Sequence, residues 1–327
     1  MKAAVKENNI LVVKEIEDEK LKSRRGAIIK VLGCGLCGSD IVKLSQGLVK
    51  DGTVLGHEIT GRIIDINSDT KFKTDDIIVC SHHIPCGKCE YCKNGNVSMC
   101  RHFKQTNIKP GGFSELVFIS EEHLNNVAYI KPDNLTDIDA SFYEPLACCI
   151  RAVKRAGLKK NSTALVIGLG SVGILMTQAL RAFGMKVIGC DLILSRVKLV
   201  KNIGIEAFTL DEMCESIKAD GVFMTSGSDK AIATALKYIQ DGGKILVFSS
   251  TPHNFGYANN EIYYRELTVL GSYSPSPADL KESLDLLASK YVKVSGISTI
   301  YPPEEIQKAI NDTIENKIMK AYIQFDN

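Results

Sequence analysis

The first third of the chain consists of short apolar or alternating runs separated by glycines. The runs at 27–38, 58–66, 75–81 and 113–120 have the length and the period of β-strands. This pattern predicts an irregular domain that consists mostly of β-structure.

Near residue 148 the pattern changes to an alternation of strands and helices. TALVIGLG at 163–170 predicts a buried strand that enters a glycine turn, and GILMTQALRAFG at 173–184 predicts a helix. KVIGCD at 186–191 predicts the next strand, and the alternation continues beyond it. Such an alternation is typical of an α/β domain with a doubly wound parallel sheet and helices on both faces.

The tail of the chain changes character again. The segments 277–289 and 303–315 are amphipathic with a helical period, and KAYIQF at 320–325 predicts a short final strand. A final strand needs a sheet to join, and we expect the N-terminal domain to supply it. The predicted domains are residues 1–147 together with 273–327, and residues 148–272.

Composition excludes several classes of function. The net charge of the 327 residues is +2, which gives no electrostatic basis for binding nucleic acid or a membrane surface. No apolar run is long enough to cross a bilayer, and the N-terminus lacks the pattern of a signal peptide. The 11 cysteines therefore indicate metal or thiol chemistry in the cytoplasm rather than a disulfide framework.

Four cysteines follow one another at a spacing typical of a metal loop. Cys86, Cys89, Cys92 and Cys100 give the pattern C-x2-C-x2-C-x7-C. Four thiolates close a tetrahedral shell around zinc with no open position, so the spacing predicts a structural zinc site. Free thiols are the plain alternative, and ligand count alone also allows an iron–sulfur cluster.

A glycine motif stands where the first buried strand of the second domain meets its helix. Gly168, Gly170 and Gly173 form G-x-G-x-x-G, and Ser171 and Val172 open the helix. The first glycine allows the tight turn, the second lets a pyrophosphate approach the backbone, and the third lets the helix pack on the strand. The unpaired amides and the positive end of the helix dipole then bind the pyrophosphate. We therefore predict a dinucleotide site here.

Asp191 follows the second strand of this domain at the distance expected of a ribose-binding acid. A carboxylate there accepts hydrogen bonds from the ribose hydroxyls and repels a 2′-phosphate, which favours NAD over NADP. The alternative role of Asp191 is that of a helix N-cap. Arg196 lies five residues further on, where it could stack on the adenine or instead bind a 2′-phosphate.

Six motifs occur in one order along the chain, and together they give it a family resemblance. They are CGLCGSD (34–40), LGHEITG (55–61), the four-cysteine loop, GGFSELV (111–117), EPLACC (144–149) and GLGSVG (168–173). In this respect the chain resembles the zinc-dependent medium-chain dehydrogenase/reductase superfamily, specifically its sorbitol and polyol dehydrogenase branch. The resemblance covers essentially the whole chain. It implies a β-rich GroES-like catalytic domain combined with a Rossmann domain.

The resemblance also implies a catalytic zinc site. In the family, the cysteine of C-G-[ST]-D and the G-H-E motif supply metal ligands, here Cys37, His57 and Glu58, and the E-P-L motif supplies Glu144 as a close or water-bridged ligand. An exchangeable ligand leaves a position for a substrate oxygen. Taken singly, Cys37 and His57 could be buried packing residues, and Glu58 a surface charge.

Three further residues are assigned roles around this zinc. Ser39 would accept the proton of the substrate hydroxyl and pass it on, and Asp40 would orient the ring of His57. His82 is a candidate for contact with the substrate, or else a solvated loop histidine. The chain departs from the family at Val42, where many relatives have a relay histidine, and at 204–220, a stretch so short that one helix–strand step is expected to be trimmed.

These observations predict an NAD-dependent zinc alcohol dehydrogenase with two zinc ions per chain that oxidises a small-molecule secondary alcohol such as a polyol, a cyclitol or a sugar derivative. Two alternatives stay open, namely a threonine-dehydrogenase-like enzyme and a non-catalytic dinucleotide sensor. Relatives pair the edge strands of their coenzyme domains, and the apolar segment 266–272 predicts a homodimer or homotetramer.

Overall fold

The computed structural model describes residues 1–249 and 256–325. Within them the strands are β1 (Lys2–Glu7), β2 (Ile10–Glu15), β3 (Gly26–Gly35), β4 (Glu58–Asn67), β5 (Ile77–Cys80), β6 (Leu116–Ser120), β7 (Ala128–Ile130), β8 (Thr163–Ile167), β9 (Lys186–Asp191), β10 (Glu206–Thr209), β11 (Ala219–Met224), β12 (Ile239–Val247), β13 (Thr268–Gly271), β14 (Ser298–Tyr301) and β15 (Lys320–Gln324).

The helices of the same residues are α1 (Gly38–Ser45), α2 (Glu90–Lys93), α3 (Arg101–Gln105), α4 (Glu121–Asn126), α5 (Asp137–Ala140), α6 (Tyr143–Ala156), α7 (Ser171–Ala182), α8 (Leu194–Asn202), α9 (Asp229–Tyr238), α10 (Asn259–Tyr264), α11 (Pro277–Ala288) and α12 (Ile306–Ile314). In the described part of the chain, no helix combines the length and the apolar character needed to cross a membrane.

The described chain divides into two compact units. The first comprises the described residues of 1–144, 276–288 and 294–327, and the second comprises the described residues of 145–275 and 289–293. The segment 289–293 packs with the second unit, whereas the sequence analysis assigns it to the first domain. The physical reason lies in α7, where the side-chain amide of the buried Gln178 donates to the carbonyl of Lys293 and accepts from its amide.

The first unit contains a seven-stranded sheet with β3 at its centre. Strand β4 pairs antiparallel along one edge of β3, while β6 and β15 pair with the two ends of the other edge. Nine of the ten residues of β3 are buried, which explains why its sequence is apolar almost throughout. The last strand of the chain thus joins the N-terminal sheet, as expected from the sequence.

The second unit contains a six-stranded parallel sheet in the order β10-β9-β8-β11-β12-β13. Reading from β8 as the first strand of the unit, this is the doubly wound order of dinucleotide-binding domains. The sheet confirms the predicted fold class of a Rossmann unit combined with a β-rich unit. Its strand β8 is buried from Ala164 to Ile167 and leads directly into the glycine motif.

The crossover from β10 to β11 lacks the expected helix. A single 3₁₀ turn at Leu210–Glu212 takes its place, although both strands of the step are present. The buried side chain of Met213 follows this turn, and the hydroxyl of Tyr238 donates to the Met213 carbonyl at 3.3 Å. The short stretch noted in the sequence therefore shortens the crossover and leaves the strand order intact.

Candidate active site and metal centres

Cys37 lies between the end of β3 and the start of α1. Cys37 is the N-cap of that helix, and its sulfur accepts hydrogen bonds from the amide of Ser39 at 3.5 Å and from the Ser39 hydroxyl at 3.2 Å. These two hydrogen bonds fix the position of the sulfur at the N-terminus of the helix. The local fold therefore positions Cys37 for metal binding.

His57 stands immediately before β4 and is buried. Its Nδ1 lies 3.4 Å from Oδ1 of the buried Asp40 in the first turn of α1. Burial alone would lower the pKa of His57, but the Asp40 carboxylate and Cys37 outweigh it and hold the pKa well above its usual value. Asp40 therefore fixes the ring so that Nε2 is the nitrogen left for a metal.

Glu58 completes a compact set of potential ligand atoms. Among the described residues, the sulfur of Cys37, a ring nitrogen of His57 and a carboxylate oxygen of Glu58 all lie within 4.8 Å of one another. Sulfur, nitrogen and oxygen donors of these types are the ligands that zinc takes in proteins. The donor set thus fits zinc, and three protein ligands leave a fourth position for a substrate or water oxygen.

Lys320 is a residue of this site that the sequence analysis did not identify. Its Nζ lies 2.5 Å from Oε2 of Glu58, and the two side chains are 5% and 1% exposed. The same Nζ donates to the carbonyl of Leu36 at 3.2 Å. A Cβ on Gly35 would lie only 2.1 Å from Oε2 of Glu58, so this β3 position has no room for a side chain.

Glu144 lies in the first turn of α6 and is buried, with 4% of its surface exposed. It is outside the group of described side chains whose ligand atoms lie within 4.8 Å of one another. The structure thus brings Cys37, His57 and Glu58 together, while the place of Glu144 as a ligand stays a prediction.

Two further histidine rings lie next to that of His57. The ring centroids of His57 and His82 lie 4.5 Å apart, and those of His82 and His83 lie 3.9 Å apart. His82 is buried, in contrast to the alternative of a solvated loop histidine. Nδ1 of His83 lies 2.5 Å from the carbonyl of Thr106, and this hydrogen bond fixes the ring of His83.

The four cysteines of the metal loop also come together. The sulfurs of Cys86, Cys89, Cys92 and Cys100 lie within 4.8 Å of one another. Burial would raise the pKa of Cys100, but the amides of Cys86 and Phe103 more than offset this and bring it to about 6. Four thiolate donors without another ligand type fit a closed zinc site.

The glycine motif has the geometry that a dinucleotide requires. Gly168 has φ of +94°, which favours glycine, and a Cβ on Gly173 would lie 1.9 Å from the Gly168 carbonyl oxygen. Gly170 is the N-cap of α7, and the space in front of its Cα holds no atom of the described residues within 4 Å of an added Cβ. Ser171 and Val172 begin the helix, so their amides lie at its N-terminus.

Asp191 ends β9 with its carboxylate already held in place. Oδ2 accepts from the amide of Leu169 at 2.6 Å, and Oδ1 accepts from the amide of Ile193 at 2.8 Å. Nη1 of Arg196 lies 3.6 Å from Oδ2. The N-cap of α8 is Ile193, so the alternative role of Asp191 as the cap of that helix is not what the structure shows.

Comparison with known proteins identifies the family. Residues 23–129 match the alcohol dehydrogenase GroES-like domain, and residues 171–289 match the zinc-binding dehydrogenase family. An uncharacterised zinc-type alcohol dehydrogenase-like protein of Haemophilus influenzae is 30% identical over 323 residues, which cover 94% of this chain and 92% of that protein. The chain belongs to the zinc-containing alcohol dehydrogenases.

Two further relatives extend this comparison. D-arabitol-phosphate dehydrogenase of Enterococcus avium is 28% identical to this zinc-containing alcohol dehydrogenase, over 96% of this chain and 92% of that protein. An Escherichia coli oxidoreductase of unknown specificity superposes over the whole of both chains with a TM-score of 0.88 and 23% identity, which supports the fold. The predicted family and the predicted enzyme class, an oxidoreductase, are thereby confirmed.

Proposed function

We propose that this zinc-containing alcohol dehydrogenase oxidises a secondary alcohol of the polyol class with NAD. The observation that carries the proposal is the open donor group of Cys37, His57 and Glu58 in a chain that also has the glycine turn of a dinucleotide site. Relatives named for an arabitol phosphate and for sorbitol favour a polyhydroxy substrate over a simple one. A dinucleotide sensor would not require an open metal group.

The proposal includes two zinc ions per chain. Cys86, Cys89, Cys92 and Cys100 would hold the structural ion, and Cys37 and His57 would hold the catalytic one together with Glu58 or Glu144. Zinc at the second site supplies a Lewis acid that lowers the pKa of a substrate hydroxyl, and NAD supplies the acceptor for the hydride.

The chain's own residues then orient groups and accept protons. Ser39 has its hydroxyl beside the sulfur of Cys37, where it can accept the proton that leaves the substrate while it passes its own hydroxyl proton on toward solvent. Asp40 holds the ring of His57 from the side opposite the ligand nitrogen. Lys320 balances the charge of Glu58 and fixes the position of its carboxylate.

For the coenzyme we propose NAD rather than NADP. The support is the Asp191 carboxylate at the end of β9, whose negative charge opposes a 2′-phosphate. Arg196 lies beside it and faces that carboxylate. An arginine already paired with an acid is less available to a phosphate than an unpaired one would be.

We further propose a homodimer or homotetramer in the cytoplasm. Strand β13 lies at the edge of the parallel sheet, and Val269 on it is 39% exposed, which would suit strand pairing with a second copy. A reducing compartment suits the cysteines, all of which lie in the described residues and none of which forms a disulfide there. Sedimentation as a monomer at micromolar concentration would contradict the oligomer.

Zinc content and kinetics of single variants test the function. Wild type should reduce NAD with polyols, free or phosphorylated, and should contain two zinc ions per chain. Cys37→Ala should lose one zinc and essentially all turnover, whereas Cys34→Ala, which removes a buried thiol outside both metal groups, should keep both. Glu144→Ala should keep much of the zinc with lower turnover.

Several outcomes would contradict the proposal. Full activity in Cys37→Ala would exclude zinc-assisted oxidation at this group. Preference for threonine over every polyol would favour the threonine-dehydrogenase-like alternative. Zinc content of two with coenzyme binding but no turnover of any alcohol would favour the sensor.

A further inference from the structure

His82 is a buried polar ring next to the metal group that the proposed chemistry leaves without a role. It lies in the loop between β5 and α2, and only 7% of its surface is exposed. Its ring contacts that of His57, with 4.5 Å between the centroids. A substrate whose reacting oxygen bound beside His57 on this side would have its adjacent atoms within reach of His82.

One nitrogen of this ring has no hydrogen-bond partner. Nδ1 of His82 is buried, and no described residue donates to it or accepts from it. An unsatisfied buried polar atom is rare in native proteins, and a ligand that supplies the missing partner at this nitrogen is therefore favoured. The neighbouring His83 differs, because its Nδ1 is occupied by the carbonyl of Thr106.

The backbone around His82 is held firmly, so the ring cannot relieve this deficit by moving away. Nε2 of the buried His123 lies 3.1 Å from the carbonyl of His82. The amide of Ile84 donates to the hydroxyl of Thr106 at 2.9 Å, two residues further along. The imidazole itself can still turn about its Cβ–Cγ bond, since this torsion is broad and roughly two-fold.

The hydrogen-bonding chemistry of an imidazole indicates which group could bind here. A neutral imidazole has one donor and one acceptor. Such a ring suits a hydroxyl group, which can both donate and accept, better than it suits an anion.

We propose that His82 hydrogen-bonds a second hydroxyl of the substrate, on the carbon next to the one that is oxidised, and so selects vicinal diols over simple secondary alcohols. This inference rests on the proposed function, because it requires the reacting hydroxyl to bind at the group formed by Cys37 and His57. A simple alcohol places only a methyl or methylene group beside His82 and leaves the buried nitrogen unpaired, which disfavours that substrate.

The test compares two alcohols that differ by one hydroxyl, 2,3-butanediol and 2-butanol. Wild type should prefer the diol in kcat/KM. His82→Phe keeps an aromatic ring but cannot form the hydrogen bond, and it should reduce the ratio of diol to monool kcat/KM by about tenfold or more. The loss should fall on the diol, with 2-butanol turned over as well as before. His82→Gln should retain part of the preference.

The control is His102→Phe, which changes a surface histidine paired with Glu122 and should leave the ratio unchanged. Zinc content is measured for every variant, because a changed metal content would alter both substrates alike. An unchanged diol preference in His82→Phe and His82→Gln, with normal zinc content, would overturn the inference while leaving the proposed function intact.

A binding measurement that needs no turnover separates the role of His82 from the proposed oxidation. In wild type labelled with ¹⁵N-histidine and free of coenzyme, 2,3-butanediol should shift the ring nitrogen signal of His82, and 2-butanol should not. The signal is assigned by its loss in His82→Phe. If neither alcohol is oxidised but only the diol shifts the signal, the proposed function fails and the hydrogen bond from His82 to the second hydroxyl stands. Equal shifts with both alcohols would refute that hydrogen bond.

Discussion

The buried ion pair of Glu58 and Lys320 gives a sharp prediction about stability. Lys320→Met removes the charge of Lys320 and keeps a chain of similar length, so that Glu58 is left buried without its partner. Both side chains are at least 95% buried, and their charged atoms are 2.5 Å apart. The Glu58 carboxylate packs directly against the backbone of Gly35 in β3, since a Cβ on Gly35 would collide with Oε2.

Removing one partner of a buried ion pair costs about 3–5 kcal/mol, because a charge remains in the interior without compensation. We expect this loss for Lys320→Met in the free energy of unfolding of the first unit, measured with all variants freed of zinc by a chelator, because a zinc ion bound by Glu58 would itself compensate the carboxylate. For a unit of this size, one kcal/mol corresponds to roughly 2–4 °C in Tm, so Tm should fall by about 6–20 °C. The double variant Glu58→Gln with Lys320→Met should recover most of the loss, because both charges are then absent.

Urea unfolding followed by far-UV circular dichroism measures the four members of this double-mutant cycle. Lys317→Met is the matched control, since Lys317 forms its ion pairs with Asp312 and Glu315 at the surface and is 61% exposed. It should change stability little. If Lys320→Met were as stable as this control, or if the double variant were no more stable than Lys320→Met, the reasoning would be refuted.

Three further predictions concern the other parts of the molecule. Cys89→Ser should lose the structural zinc and lower Tm, because a closed thiolate site contributes folding energy, whereas the exposed Cys214→Ser should do neither; zinc content and thermal unfolding measure this. Asp191→Ala should relax the preference for NAD over NADP in kcat/KM, and better use of NADP by wild type would contradict the ribose role. Hydrogen bonds from Arg25, above all, lower the pKa of Glu121 from 4.5 to about 2. A carboxylate whose pKa is lower in the folded than in the unfolded state stabilises the fold at pH values above its unfolded pKa. Glu121→Gln should therefore be less stable than wild type near pH 7, and the difference in stability should shrink between about pH 4.5 and pH 2. Urea unfolding at both ends of that range tests the sign.

The parts of the site that could be predicted from the sequence are those whose chemistry lies in one short segment. The four cysteines of the metal loop fall within 86–100, and the glycine turn falls within 168–173. In each case the spacing of the residues is enough to indicate the geometry, a four-thiolate shell in the first and a tight turn before a helix in the second. The metal loop and the turn therefore needed no knowledge of which strands pair.

Lys320 could not be predicted in this way, because its role depends on strand pairing over a long distance in the chain. Tyr322 of β15 pairs with Gly35 of β3, and Gly35 in turn pairs with Glu58 of β4. Only this register brings the first residue of β15 to the carboxylate of Glu58. A lysine before a short apolar run otherwise has the pattern of an ordinary strand end.

The crossover between β10 and β11 shows a second limit. The sequence indicated a shortened region at 204–220, and the structure shows that the helix alone is absent. Strand order in a parallel sheet is set by pairing and by burial of both faces, so it survives the loss of one covering helix. The number of residues between two strands therefore predicts whether the connection contains a helix better than it predicts the strand order of the sheet.

The two groups that we propose to hold zinc, structural and catalytic, differ in construction, and this difference has consequences for function. All four thiolates of the structural group come from one loop, so its formation depends on local folding and metal binding together. The catalytic group takes Cys37 from the end of β3 and Glu58 from the start of β4, and Lys320 from β15 holds that glutamate. Its geometry is therefore a property of the assembled sheet. Substitutions that shift the register of β15 should change the position of Glu58, and hence turnover, while the structural zinc is retained.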